Sequence, residues 1–193
     1  KRSCRFRLRA VSFSFPLAQP DKPGYDQAQV DAFVSLARRQ YADAAQEILT
    51  ANQLRNTEFD LVHGGYDLFA VDAAMDRLED AFAAREIQRQ KLFRGDFAVK
   101  DRLARITEIV VGRLERPKRK KFSSVGWLLR GYDRKQVDLL CSQIEQHLKS
   151  GSQIQLNVVR RAIFQSKRGG YVESQVDAFI DRVVEILQIE KNQ

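Results

Sequence analysis

The chain has 193 residues with a formal net charge of +8, and 44% of them are hydrophobic. This hydrophobic fraction argues against a wholly disordered chain, and four Pro and ten Gly exclude collagen-like or Pro-rich low-complexity material. Two Cys are too few for a disulfide framework, and with only two His a zinc site is not expected. No apolar stretch is long enough to predict a membrane-spanning helix, and the basic excess favours anionic partners such as nucleic acid, acidic lipid or acidic protein.

An eight-residue pattern, Gly-Tyr-Asp-x-x-x-Val-Asp, occurs four times along the chain, with Val172 in place of the first Asp of the last copy. In the first and third copies a Phe lies ten residues before the Tyr, whereas in the second and fourth it lies seven before. This agreement of the flanks predicts that a two-copy module has been duplicated. The residues of the repeat signature are Tyr25, Asp26, Val30, Asp31, Tyr66, Asp67, Val71, Asp72, Tyr132, Asp133, Val137, Asp138, Tyr171, Val176 and Asp177.

Each copy predicts a turn that leads into an amphipathic helix. Gly before Tyr allows a backbone turn that a side chain would obstruct, and Asp after Tyr is a favourable helix N-cap. Downstream, apolar residues step by four, three and four, as at Val71, Met75, Leu78 and Phe82. This spacing is typical of a coiled-coil seam or of a buried helix face. No alternating run predicts a sheet, so the expected fold is all-α, with tandem repeats of a turn plus a coiled-coil-like helix.

The segments between the copies are also predicted to be helical. Thr50 and Ser152 are candidate caps of short helices, and Ser150-Gly151 is typical of a helix C-terminus. A connecting helix is expected from Asp96 to Leu114, because Pro117 ends it, and the basic residues from Arg116 to Lys121 are expected to form a solvated linker. The predicted domains are a first pair of copies at 13–95, the connecting helix and basic linker at 96–121, and a second pair at 122–190.

The sequence shows no constellation of residues typical of catalysis or of cofactor or metal binding. His63 and His147 have no evident partner for acid–base chemistry, and Cys141 falls on an apolar seam, where burial is expected. The Gly-Gly pairs lack the Lys and Ser or Thr of a phosphate-binding loop. The second Asp of each copy is expected to be a salt-bridge or cap partner rather than part of an acid–base pair. We therefore predict a protein that is not an enzyme and has no cofactor.

The residues from Leu49-Thr50 to Phe59, followed by Gly65-Tyr66-Asp67 and Val71-Asp72, resemble the N-terminal domain of DivIVA proteins. The fourth copy shares Arg160, Phe164, Gly170-Tyr171, Val176-Asp177 and Phe179 with the same pattern, and the resemblance spans roughly Phe13 to Leu187. It implies a non-enzymatic scaffold of Gram-positive bacteria that gathers on curved, anionic membrane at cell poles and division sites. In that family the domain is a parallel helical dimer. This sequence instead carries several copies, as in tandem-repeat members of actinobacterial type, which suggests a pseudo-dimer within one chain.

The resemblance also implies a lipid-contact site, because an apolar residue and an Arg precede Gly-Tyr-Asp in that family. Leu129-Arg130 matches this pair, and Trp127 and Leu128 precede it. The predicted membrane-contact residues are Trp127, Leu128, Leu129, Arg130, Lys118, Arg119, Lys120 and Lys121. Two alternatives stay open at this point: Trp127 and Leu128 pack under the module, and the basic run is a solvated linker or binds nucleic acid.

Together these observations predict a cytoplasmic scaffold or interaction module, peripheral at the inner face of the cell membrane. Its expected partners are itself, other DivIVA-like proteins and an anionic lipid surface. The alternative is a basic helical protein that binds nucleic acid in the nucleoid.

Overall fold

The computed structural model describes residues 15–42 and 49–192. Predictions that concern Cys4, or residues 13 and 14 of the first predicted domain, lie outside these residues. The chain forms two compact units, which divide between Phe82 and Ala83. The first two copies of the repeated pattern lie in the first unit and the last two in the second.

The first unit contains a two-stranded antiparallel sheet and helices that follow its strands. Strand β1 pairs with β2 so that Gly24 lies opposite Val62. Thr50 caps α2 in a capping box with Gln53, as predicted for this residue. The elements in chain order are β1 (Pro23–Tyr25), α1 (Gln27–Ala42), α2 (Ala51–Arg55), β2 (Leu61–His63) and the beginning of α3 (Leu68–Leu114).

The second unit repeats this order of elements. Strand β3 pairs with β4 so that Gly131 lies opposite Lys167. Gly151, in the left-handed conformation, ends α4, as predicted for this position. Ser152 does not cap the next helix, which begins after Gln155 and has no side-chain cap. After the end of α3, the elements are β3 (Arg130–Tyr132), α4 (Arg134–Ser150), α5 (Leu156–Arg160), β4 (Ser166–Arg168) and α6 (Glu173–Lys191).

The long helix α3 is interrupted at Gly95, whose φ of 79° and ψ of 165° are not helical. The helix therefore resumes at Asp96 and ends at Leu114, in agreement with the predicted connecting helix. Ile87 and Val99, on either side of the interruption, share a buried cluster with Ile189 of α6. The interruption thus allows both parts of the helix in the second unit to contribute to one core.

The described chain is mostly helical, as predicted, but the short strands were not predicted. Each has only three residues, so alternation of apolar and polar residues has no room to develop within a strand. Among the described residues, no helix is both long enough and apolar enough to cross a membrane.

The predicted helix seams form the cores of the two units. In the first unit, Val30 and Val34 of α1 share a buried cluster with Val71 of α3. In the second, the larger cluster includes Val137, Cys141 and Ile144 of α4 together with Val176, Phe179 and Val183 of α6. Each buried aliphatic side chain contributes about 1.5–3 kcal/mol relative to exposure, so burial of these seams stabilises each unit.

Candidate membrane-contact site

The sheet of the second unit holds the Tyr residues of the two copies against each other. The Tyr132 N–H donates to the Tyr171 carbonyl at 3.0 Å, and the Tyr171 N–H donates to the Tyr132 carbonyl at 2.9 Å. Gly131 is required at this crossing because an added Cβ would lie 2.1 Å from the Tyr171 carbonyl oxygen. The predicted turn at this Gly is wrong, because Gly131 lies in strand β3 and the backbone of the other copy occupies the space of a side chain.

The Tyr side chains cross in the same way. The Tyr171 hydroxyl donates to Asp138 at 3.0 Å, and the Tyr132 hydroxyl is hydrogen bonded to Asp177. Burial and the nearby Asp177 charge raise the pKa of Tyr132 to about 12. The second Asp of each of these copies, predicted as a salt-bridge or cap partner, thus has a Tyr hydroxyl of the other copy as a partner.

The first unit has the matching contacts. The Tyr25 and Tyr66 backbones exchange hydrogen bonds of 3.0 and 2.8 Å, and the Tyr66 hydroxyl donates to Asp31 at 3.2 Å. Tyr25 is hydrogen bonded to Asp72, and its pKa is raised by burial and by that carboxylate. The crossed arrangement is therefore present in both units.

The predicted lipid-contact residues Trp127, Leu128 and Leu129 lie in a turn directly before β3. The Leu129 N–H donates to the Gly126 carbonyl at 2.8 Å, and the Gly169 N–H donates to the Leu129 carbonyl at 2.9 Å. Although the backbone is held on both sides, the exposed fractions of Trp127, Leu128 and Leu129 are 79%, 64% and 63%. The expectation that Trp127 and Leu128 pack under the module is wrong. We call these three residues the apolar tip.

The first unit contains the equivalent turn with different residues. The Lys22 N–H donates to the Gln19 carbonyl at 2.9 Å, which matches the bond that closes the turn before β3. Its three residues are Pro20, Asp21 and Lys22. The same backbone geometry therefore forms with a polar turn, so the fold does not require apolar side chains at the tip.

The predicted basic residues divide into an exposed group and one buried residue. Lys118, Arg119, Lys120 and Arg130 are exposed, and the Arg130 guanidinium donates to the Ser166 carbonyl at 3.2 Å. Lys121 is only 4% exposed.

The ammonium of Lys121 donates to the Leu114 carbonyl, and to the Arg116 carbonyl at 3.1 Å. Since these carbonyls lie at and just after the end of α3, Lys121 satisfies acceptors that the helix leaves unpaired. The prediction that Lys121 faces lipid is therefore wrong.

The backbone of the basic segment, residues 116–121, is also hydrogen bonded to other parts of the second unit. The Arg119 N–H donates to Asp138 at 2.7 Å, and the Lys121 N–H donates to the Tyr171 hydroxyl at 3.2 Å. The segment is thus a folded loop rather than a freely solvated linker. Of its exposed cations, Arg119 lies beside Lys167 and Arg168 of strand β4.

The structure also reveals a cleft of about 370 Å³ that the sequence did not predict. It lies in the second unit and is lined by cations from the basic segment, the first turn of α4 and strand β4. The lining residues are Arg119, Arg134, Lys135, Lys167 and Arg168, with Asp133, Gly169 and Gly170. We call this the cationic cleft. The sequence does contain one indication of this cleft. At the first-unit positions that match its five cations, there is no Lys or Arg.

Cys141 and His147, which were considered for catalysis, contact other residues of the second unit. Cys141 is buried in the core, and burial raises the pKa of its thiol to about 12. His147 lies 2.8 Å from the Ser152 carbonyl and 3.0 Å from a Glu190 carboxylate oxygen, and it links the ends of α4 and α6. Over residues 15–42 and 49–192, no group of three His, Cys, Asp or Glu is arranged to hold a metal ion.

No family model matches the chain, and no curated protein or solved structure shows significant similarity to it.

Proposed function

We propose that this chain is a non-enzymatic, DivIVA-like interaction module built from four copies of one unit, paired as two duplicated modules. The reciprocal Tyr contacts support this organisation, because each module places the Tyr of one copy against the Asp of the other. Each module then corresponds to a dimer formed within a single chain.

We further propose that the second module contacts an anionic membrane surface through the apolar tip. The observation that carries this proposal is the contrast between equivalent turns. The tip exposes Trp127, Leu128 and Leu129, whereas the matching turn of the first module has Pro20, Asp21 and Lys22. Contiguous exposed apolar residues that the fold does not need mark an interaction surface.

The energetics favour a peripheral, salt-sensitive contact. Full burial of each tip side chain in the membrane interface would contribute about 1.5–3 kcal/mol. Each exposed cation near an anionic surface adds about 1 kcal/mol before screening by salt. Lys118, Arg119, Lys120 and Arg130 are available for this role, whereas the buried Lys121 is not. Apolar insertion and basic attraction together give the two signals that stable anchoring requires.

The cellular role that we propose is supported by the DivIVA resemblance alone. The chain would act on the cytoplasmic side of the cell membrane, at poles or division sites, with further copies of itself or other DivIVA-like proteins as partners. Binding to nucleic acid is the competing interpretation of the basic charge, and the experiment below separates the two.

Co-sedimentation of the full chain with lipid vesicles tests the membrane proposal. The tip variant combines Trp127→Pro, Leu128→Asp and Leu129→Lys, and so carries the residues of the equivalent first-module turn. We expect the parent to sediment with phosphatidylglycerol vesicles but not with neutral phosphatidylcholine vesicles, and the tip variant to remain in solution. The control is Ile109→Ser with Leu139→Ser, which changes two other exposed apolar residues of the same unit.

Circular dichroism establishes that each variant is folded. Equal sedimentation of a folded tip variant and the parent would refute the proposal, as would failure of the parent to bind anionic vesicles. Salt-dependent retention on DNA by a parent that does not bind vesicles would instead favour the nucleic-acid interpretation.

A further inference from the structure

We propose that the cationic cleft of the second unit binds a phosphate group, presented either by a lipid headgroup or by a soluble phosphate compound. For the lipid source, this inference rests on the proposed membrane contact. For the soluble source it stands independently. Of the cleft residues, only Arg119 is among the membrane-contact residues predicted from the sequence.

The guanidinium of Arg134 is held in place at the cleft. Its Nε donates to the Gly169 carbonyl at 2.8 Å, its Nη2 donates to the same oxygen, and its Nη1 lies 3.5 Å from the Arg119 carbonyl. A guanidinium has five N–H donors, so these contacts leave two for a ligand. A fixed guanidinium loses little conformational freedom on binding, and its planar fork suits phosphate oxygens.

The neighbouring cations add positive charge. Within the described part of the chain, no hydrogen bond or ion pair involves the side chain of Lys135 or Arg168, and both residues are exposed. The Lys135 charge also acts on Asp133. Lys167 forms an ion pair of 3.0 Å with Asp133, the one carboxylate of the lining. Hydrogen bonds from the Lys135 backbone and the Lys167 side chain lower the pKa of Asp133, so this carboxylate stays ionised near neutral pH. Five cations still face a single negative charge.

The fold does not require these charges. In the first unit, Gln27 occupies the position of Arg134, and its side-chain amide donates to the Gly64 carbonyl at 2.6 Å. This bond matches the one from Arg134 to Gly169, so a neutral residue performs the same structural role. At the positions that match Lys135, Lys167 and Arg168, the first unit has Ala28, Val62 and His63. The concentration of cations in the second unit is thus surplus to the shared fold and points to an anionic ligand.

The cleft and the apolar tip are neighbours. A Cβ added to Gly169 would lie 4.0 Å from the Trp127 Cα, so the lining of the cleft reaches the backbone of the tip. A phosphate headgroup could therefore occupy the cleft while the tip side chains enter the apolar layer beneath it. Trp127 is the single Trp of the chain, which makes its fluorescence a local reporter of binding.

Titration of the full chain with inorganic pyrophosphate at constant ionic strength tests the cleft directly, by Trp fluorescence and calorimetry. The cleft variant carries Arg134→Gln, Lys135→Ala and Arg168→His, the residues of the first unit. We expect its affinity for pyrophosphate to fall by about tenfold or more. The control variant, Arg94→Gln, Lys100→Ala and Arg182→His, removes three exposed cations of the same unit outside the cleft and should bind as the parent does.

Vesicle binding then identifies the source of the phosphate. If the source is lipid, pyrophosphate competes with phosphatidylglycerol vesicles for the parent, and the cleft variant binds these vesicles more weakly than the control. If the source is soluble, the cleft variant and the control bind vesicles equally, and only the response to pyrophosphate differs.

The tip variant separates this inference from the proposed function, since it should retain pyrophosphate binding, which calorimetry measures because this variant lacks Trp127. A parent that binds pyrophosphate but not vesicles would end the membrane proposal and leave the cleft intact. Equal pyrophosphate affinity of the folded cleft and control variants, or no binding by the parent, would overturn the inference.

Discussion

Removal of one Tyr hydroxyl should lower the stability of the second unit much more than that of the first. The Tyr171 hydroxyl donates to Asp138 at 3.0 Å and accepts from the Lys121 N–H at 3.2 Å, with all three residues buried. Tyr171→Phe leaves the carboxylate with its bond from the Arg119 N–H but deprives the Lys121 N–H of its partner. Hydrogen bonds to charged groups contribute about 1.5–3 kcal/mol, and a buried unsatisfied donor costs about 1–3 kcal/mol, so we expect the free energy of unfolding to fall by about 2.5–6 kcal/mol.

The matched substitution in the first unit is Tyr66→Phe. The Tyr66 hydroxyl donates to both carboxylate oxygens of Asp31 at 3.2 Å. Asp31 is exposed, so water can replace the lost donor. We therefore expect the smaller cost of a partly solvated hydrogen bond, about 0.5–1.5 kcal/mol.

Because the chain has two compact units, the measurement must report on each one separately. Hydrogen exchange followed by mass spectrometry in increasing urea gives the opening free energy of peptides from α6 and, independently, from α1. Tyr171→Phe should lower the protection of α6, and Tyr66→Phe that of α1. Equal losses in the two units would refute the claim that burial makes the hydrogen bonds of Tyr171 more stabilising than those of Tyr66. A loss below about 0.5 kcal/mol for Tyr171→Phe would refute the claim that the Tyr171–Asp138 contact stabilises the second unit.

Two further predictions concern helix capping and alkaline pH. The side chains of Asp67 and Asp133 accept from N–H groups at the starts of their helices, whereas Val172 at the start of α6 provides no such cap. Val172→Asp should therefore raise the free energy of unfolding in urea by about 0.5–2 kcal/mol, and a decrease would mean that packing of the half-buried Val172 dominates. The pKa of Tyr132 in the folded chain is about 12, above its ordinary value near 10. Its contribution to stability should be fully present below about pH 10 and be lost as the pH approaches about 12, because the unfolded chain releases this proton first. Unfolding measured over this range should show a decline that Tyr132→Phe reduces, and an identical pH dependence in that variant would contradict the assignment.

Several features follow from local sequence because neighbouring residues determine them. The helix starts after Asp26, Asp67 and Asp133 are examples, since an N-cap needs only a short polar side chain and the next turn of backbone. The end of α3 at Leu114 follows from Pro117, which cannot continue a helix, and the burial of Cys141 follows from the helical period of apolar residues.

Other features could not be read from local sequence because they depend on which segments meet. Lys121 reads as one more solvated cation of a basic run, yet the folded loop places its ammonium at the carbonyls that end α3. The cleft lined by Arg134 and Lys167 combines residues far apart in the chain, and only the pairing of β3 with β4 brings them together.

The helices and their apolar seams are predictable from the sequence, because they depend on residue type and spacing along one segment. The remaining features depend on how the segments pack together. Crossing of the strands placed Tyr132 and Tyr171 against the carboxylates of each other's copies, and closure of the turn before β3 left Trp127 exposed rather than buried. Exposure and cross-segment hydrogen bonds depend on the path of the whole chain, and the residue pattern of one segment contains no information about that path.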